Sequence, residues 1–135
     1  LAGVADRTGW CPVDPLTFES KLQKDVHVIG DAAIAGAMPR SASAAHSQGA
    51  ICAAAVAVLL AGRQPATPTL KSSCFSMIAP DYAISQRGTY RPADGQYVEA
   101  EPVIISAAGA SPAVRADEAK EANDWFHRIT SETFG

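Results

Sequence analysis

Several features that would settle a function at once are missing from this sequence. Lys and Arg number 11 against 14 Asp and Glu, for a formal net charge of −3, and no block of basic residues stands out. A nucleic-acid backbone therefore meets no electrostatic footprint and is set aside as a partner. The longest apolar stretch, Ala50 to Ala61, is about twelve residues where roughly 20 are needed to cross a bilayer, so it reads as a buried helix and no membrane span is expected. Cys11, Cys52 and Cys74 are odd in number and widely spaced, with no C-x-x-C pair, which indicates neither a disulfide framework nor a metal array. His27, His46 and His127 also lack ligand spacing, and no metal is expected. The glycine-rich fingerprint G-x-G-x-x-G does not occur. No charged start, apolar middle and small-residue cleavage site is read as a signal peptide, and a start at Leu1 rather than Met leads us to expect a processed or truncated product.

What is present suits a folded chain: 47% hydrophobic and 19% charged residues over 135 positions, enough for one compact domain or for a small domain plus a piece of another. Leu1 to Asp25 mixes Gly, Pro and Asp with single apolar residues, which predicts short extended segments and turns. Val26 to Ile29 is a β-branched run closed by Gly30-Asp31, a strand ending in a sharp turn. Ser43 to Leu60 is rich in alanine, with serines for an N-cap and Gly62 to end it, and predicts a core helix. Arg63 to Thr69, with Pro65 and Pro68, reads as a linker. Beyond it, Ser73–Ala79, Tyr82–Arg91 and Gln96–Ile105 predict a three-stranded antiparallel meander, turning at Pro80-Asp81 and at 92–95. Pro112 suits the first turn of a last helix running to about Thr130, with Ala119, Ala122, Phe126 and Ile129 as its apolar stripe. Asp124 and Arg128 are expected to pair across one turn of it.

Two places could carry chemistry. Gly30-Asp31 could let a ligand approach the backbone and accept a bond from a polyol hydroxyl, or could be a plain turn. Met38-Pro39-Arg40-Ser41 leads into Ser47-Gln48-Gly49, where a helix N-terminus could stabilise negative charge or simply cap a core helix. On the residues alone, Cys74 reads as a small buried apolar side chain, since nothing beside it lowers a thiol pKa. Cys11 and Cys52 read as structural, and Trp125 as ordinary packing on the helix stripe.

The run from Gly9-Trp10-Cys11-Pro12-Val13-Asp14 through Thr17-Phe18-Glu19-Ser20, Val26 to Ala32, Met38 to Ser41 and Ser47-Gln48-Gly49 resembles the flavoprotein subunit of flavocytochrome c sulfide dehydrogenase. The likeness continues through Cys74-Phe75-Ser76-Met77-Ile78-Ala79-Pro80, Ala83-Ile84-Ser85, Tyr90-Arg91-Pro92 and Thr133-Phe134-Gly135. It implies an α/β chain: the remnant of an FAD-binding dinucleotide domain over 1–64, as a strand plus core helix, then a small α+β domain over 65–135 with the meander and the C-terminal helix. It also implies a periplasmic enzyme that oxidises sulfide, holds FAD and passes electrons to a cytochrome c subunit. Gly30 and Asp31 would then contact the ribityl and pyrophosphate region. Met38, Pro39, Ser47, Gln48 and Gly49 would approach the flavin ring. Cys74 would be one of two redox cysteines, and Trp125 an aromatic near the flavin. Arg40 stands where relatives often carry Lys.

The second redox cysteine and the glycine fingerprint are not found in these 135 residues, so the chain alone is expected to be inactive and not to retain FAD. The apolar helix and the Val26 to Ile29 strand would leave surfaces to cover, which predicts a homo-oligomer of this chain. The rival readings are another two-dinucleotide-domain flavoprotein, such as a quinone-linked sulfide oxidoreductase, and a non-enzymatic domain that docks a partner.

Overall fold

The computed structural model describes residues 2–135. Two compact units divide the chain, one built from Leu1–Ser72 and Gly88–Val103, the other from Ser73–Arg87 and Ile104–Gly135. This division cuts the chain differently from one at residue 64, because residues 88–103 return to the first unit.

In the first unit, short strands β1 (Cys11–Pro12) and β2 (Ala33–Ile34) pair in parallel, Cys11 opposite Ala33. Val26 to Ile29 does not form the expected strand. His27 makes a single antiparallel bridge to Glu19, and a short 3-10 turn, Gly30–Ala32, follows at once. The cause is local: Phe18 and Asp25 take positive φ (60° and 64°), so the two limbs of the loop meet at isolated points rather than as a ladder. Their backbone groups are still satisfied, Ser20 N–H by the Val26 carbonyl at 2.7 Å and Val28 N–H by the Phe18 carbonyl at 2.9 Å.

Helix α1 (Ala42–Leu60) starts where Ser41 Oγ accepts the Ala44 N–H at 3.2 Å. It stops at Gly62, whose φ of +70° lets Gly62 N–H reach the Leu59 carbonyl (2.9 Å) and Arg63 N–H the Val58 carbonyl (3.1 Å), the paired bonds of a Schellman end. The twelve-residue apolar run thus belongs to a 19-residue helix that is long and apolar enough to cross a membrane by length and composition. Core helices of soluble domains meet the same criterion, so we assign it no span. Within this chain it is not a core helix on all faces, since only Ala44, Gln48 and Ala55 are buried. Pro65 to Pro68 runs beside it, bounding with Leu16, Ile51 and Val58 an apolar cavity of about 250 Å³.

The core of this unit gathers Val13, Phe18, Ala33, Met38, Ala44, Leu70, Tyr90 and Tyr97. Tyr97 stacks on Phe18 with ring centroids 5.7 Å apart, and its hydroxyl donates to the Pro15 carbonyl. Burial, reinforced by Asp14, raises the Tyr97 pKa far above the ordinary tyrosine range.

The antiparallel sheet forms as expected, with one strand more. The order is β3 (Leu70–Ala79), β4 (Tyr82–Ala93), β5 (Gln96–Glu99), and β6 (Ile104–Ile105) also pairs with β4. The second turn is tighter than 92–95, because Pro92 and Ala93 pair with Tyr97 and Gln96. Asp94 (φ 50°) and Gly95 (φ 76°) alone make the reversal, as a two-residue hairpin with right-handed strand twist requires. The expected third strand splits because β5 pairs Tyr90 with Glu99 while β6 pairs Arg87 with Ile104. Gly88 and Thr89 on β4 therefore face the four residues 100–103.

The second unit packs α2 (Pro112–Phe134) against residues of β4 and the stretch after β6. Pro112 begins it, as the sequence predicts, Ser111 caps it, and it continues past Thr130. The expected stripe holds only in part: Ala119 and Ala122 are buried, whereas Phe126 is exposed. Asp124 pairs with Lys120 at 2.7 Å instead of with Arg128. Arg115 and Glu118 are buried and joined at 2.7 Å (Nη1 to Oε2). Hydrogen bonds from the Ser106 and Ser85 hydroxyls, and then Arg115, hold the Glu118 carboxyl down to about 2. A depressed carboxyl contributes stability that is present above its unfolded value, ~4.3, and lost as pH falls toward 2.

Gly36 and Gly62 both have positive φ, but only Gly36 is walled in. A Cβ there would overlap the backbone carbonyl oxygen of Tyr97, while nothing lies within 4 Å of one at Gly62. Gly62→Ala should cost roughly 1–2 kcal/mol, the left-handed penalty alone. Gly36→Ala should cost clearly more in the same urea titration. Equal costs would mean that Tyr97 does not abut Gly36.

Candidate functional site

Four of the sequence-predicted residues meet in one cavity of the first unit. Gly30, Met38, Pro39 and Gln48 line a space of about 290 Å³ together with Ala33, Ile34, Ala35, Gly36 and Arg40. Its organiser is Gln48, in the second turn of α1 and 2% exposed. The Gln48 Oε1 accepts the Gly30 N–H at 2.8 Å, and its Nε2 lies 3.5 Å from the Met38 sulfur as a donor. A single buried amide thus ties both walls to the helix. Gly30 has a φ of +72°, which explains its residue type.

Arg40 forms the charged rim. Its Nε donates to the Asp31 carbonyl at 3.1 Å, and its guanidinium lies 3.9 Å from the Trp10 ring centroid. The N-terminal end of α1 begins just beyond, at Ser41, whose hydroxyl also meets that of Ser72 at 3.2 Å. Cation and helix terminus together favour an anionic or electron-rich group in this cavity.

Asp31, Ser47 and Gly49 are not among the lining residues. Asp31 is exposed and presents its backbone carbonyl to Arg40 rather than its carboxylate to the cavity. A Cβ at Gly49 would meet only Ile29 Cδ1, at 3.4 Å, so nearby atoms leave room for one. The lining residues that sequence reasoning missed are Ala33 to Gly36, three small residues and Ile34, whose only signal was a second glycine six positions after Gly30.

Cys74 and Trp125 lie in the second unit, and its fold does not bring them together. Trp125 lines a cavity of about 370 Å³ with Ser73, Phe75, Arg87, Glu121, Asp124 and Arg128. Arg87 is ion-paired to Glu121 there and lies 5.8 Å from the Phe75 ring centroid. Side chains alternate along a strand, so Cys74, between Ser73 and Phe75 on β3, faces the opposite side of the sheet from Trp125. Cys74 is exposed, which corrects its reading as a buried apolar residue. Cys11 is buried. Cys52 is half-buried, and desolvation pushes its thiol pKa up.

The first unit's cavity can be tested against a flavin from its own shape. At 290 Å³ it stands at the small end of the roughly 300–1,000 Å³ that enclose a ligand of drug size. Glycines at 30 and 36 remove side chains from its wall, and its polar groups are an amide, backbone and a guanidinium. That set fits one moiety of a flavin dinucleotide, not the whole molecule.

Fold and site together define a mixed α/β chain with an antiparallel sheet, a C-terminal helix and a small cavity beside the start of α1. Residues 66–134 match the family described as flavocytochrome c sulphide dehydrogenase, flavin-binding, and the chain belongs to that family. The full protein is accordingly a flavin-dependent oxidoreductase with FAD as its cofactor, and the family's name joins it to a cytochrome c. The match covers the sheet and α2, and the residues of the cavity at 30–48 precede it.

Gln48→Ala should destabilise the chain by about 1–3 kcal/mol by leaving the Gly30 N–H without its acceptor. The Gly30 amide should then exchange with deuterium faster than in the parent. Unchanged exchange there would mean that Gln48 does not hold the cavity wall.

Proposed function

We propose that the chain is the part of a sulfide-oxidising dehydrogenase that carries one redox cysteine and one wall of the cofactor site. The observation that carries this reading is the contrast among the three cysteines. Cys74 is exposed and lies inside the family-matched residues, whereas buried Cys11 and half-buried Cys52 lie outside them. A thiol must be reachable to exchange with a sulfur nucleophile.

In this reading Cys74 is one sulfur of a disulfide whose other cysteine lies outside these residues. Hydrosulfide attacks one sulfur, an S–S bond to the incoming sulfur forms, the old S–S bond breaks, and its electron pair leaves on the released thiolate. FAD, when bound, supplies a two-electron acceptor that can return electrons singly to a haem. The electrons go on to the cytochrome c subunit, and the compartment is the periplasm.

The chain's own contribution is positioning and electrostatics. Gly30 and Gly36 keep side chains out of the cavity, Gln48 fixes its walls, and Arg40 with the α1 terminus favours negative charge inside it. Asp31 is the carboxylate available to a polyol at its edge. Trp125 stands beside the cofactor from α2. The exposed apolar length of α1 is covered by another protein surface, either the rest of the enzyme or a second copy of this chain.

In the full-length enzyme, Cys74→Ser should abolish most sulfide-dependent cytochrome c reduction while the purified protein stays yellow with bound FAD. Parental turnover in that variant would remove Cys74 from the chemistry.

A further inference from the structure

The second unit has almost no apolar core. Its buried residues are Ala83, Ala119 and Ala122 with Ser85, Arg115 and Glu118. Alanines set a close approach but little orientation, because small smooth surfaces interlock weakly. Direction has to come from the polar groups. Glu118 Oε1 accepts from Ser85 Oγ on β4 at 2.8 Å and from Ser106 Oγ beyond β6, while Glu118 Oε2 accepts from Arg115 Nη1 at 2.7 Å. Arg115 in turn donates to the Ala107 carbonyl and lies 5.7 Å from the Tyr82 ring centroid. One carboxylate is therefore bonded to β4, to the segment after β6 and to its own helix.

We propose that Glu118, with Arg115, is a positioning device that sets the rotation of α2 and thereby seats Trp125 in its cavity beside Phe75 and Arg87. The helical repeat gives the link. Trp125 follows Glu118 by seven residues, close to two full turns at 3.6 residues per turn, so both side chains leave the same face, with Ala122 between them. Turning α2 to break the Glu118 bonds would carry Trp125 out of its place. Arg115 Nε is buried without a partner among the described residues, so the cluster is not the most stable filling for this space. Buried ion pairs replaced by apolar residues are often neutral or stabilising, and a role in orientation accounts for a pair that stability alone does not favour. The effect of this seat at the cofactor rests on the function proposed above; the seat itself does not.

The experiment uses the whole chain with Trp10→Phe, which leaves Trp125 as the sole tryptophan of the two. Glu118→Ala should red-shift Trp125 emission and increase its quenching by acrylamide while far-UV circular dichroism keeps the parental helix signal. Glu118→Gln, which retains an acceptor for the serine hydroxyls, should recover part of both changes. If Glu118→Ala does not fold, Ser106→Ala decides, since it removes one bond and leaves both charges, and a smaller red shift with intact helix signal is expected. Parental emission and quenching in a folded Glu118→Ala, or in Ser106→Ala should that one decide, would overturn the proposal. So would a change that only tracks loss of helix signal. Neither readout needs FAD or sulfide, so a failure here is distinct from a failure of the sulfide dehydrogenase reading.

Discussion

The close approach of Tyr97 to Gly36 is the constraint on which the candidate site depends. The Tyr97 carbonyl accepts the Ala37 N–H at 3.0 Å, its ring stacks on Phe18, and its hydroxyl reaches the Pro15 carbonyl. One hairpin residue thus holds two separate stretches of the N-terminal segment. Burying such a ring is worth about 1.5–3 kcal/mol, but here its position matters more than its area. The register of the Asp94-Gly95 hairpin puts Tyr97 opposite Pro92, and only a residue without Cβ lets the 33–38 strand and turn come against it. Met38 and Arg40 then follow at the cavity, and Gln48 closes the arrangement from α1.

The two units are stabilised in different ways. The first has an apolar core that includes the stacked pair Phe18 and Tyr97, and its cavity is lined by small residues at 30, 33, 35 and 36 together with Met38, Arg40 and Gln48. The second relies on a buried carboxylate satisfied from three directions, and it bears the exposed cysteine on one face of its sheet and the tryptophan on the other. An exposed thiol suits exchange with a soluble sulfur nucleophile. A tryptophan seated between helix and sheet suits a fixed role in shape.

Much of the local structure was legible because it depends on single residues with strong preferences. The serines before α1, Gly62, Pro112 and Asp94-Gly95 each mark a cap or turn for a steric or hydrogen-bonding reason, and the elements begin and end at them. Val26 to Ile29 misled because a β-branched run indicates an extended chain but not a partner, and positive φ at Phe18 and Asp25 was invisible in residue type. The burial of Arg115 and Glu118 was hidden for a related reason: charged residues three apart on a helix ordinarily mark a solvated face, and the serines that satisfy Glu118 are 33 and 12 residues away. Of the candidate site, Gly30, Met38, Pro39 and Gln48 were legible through the resemblance and meet in one cavity.

The central claim is that residues 30–48 form one wall of the FAD site in the full-length enzyme. Hydrogen–deuterium exchange of that enzyme, holding FAD and stripped of it, tests this most directly. The account predicts that FAD protects peptides spanning Gly30 to Gln48, while peptides over Pro65 to Pro68 beside the apolar cavity exchange alike in both forms. Identical exchange across 30–48 with and without the cofactor would contradict it.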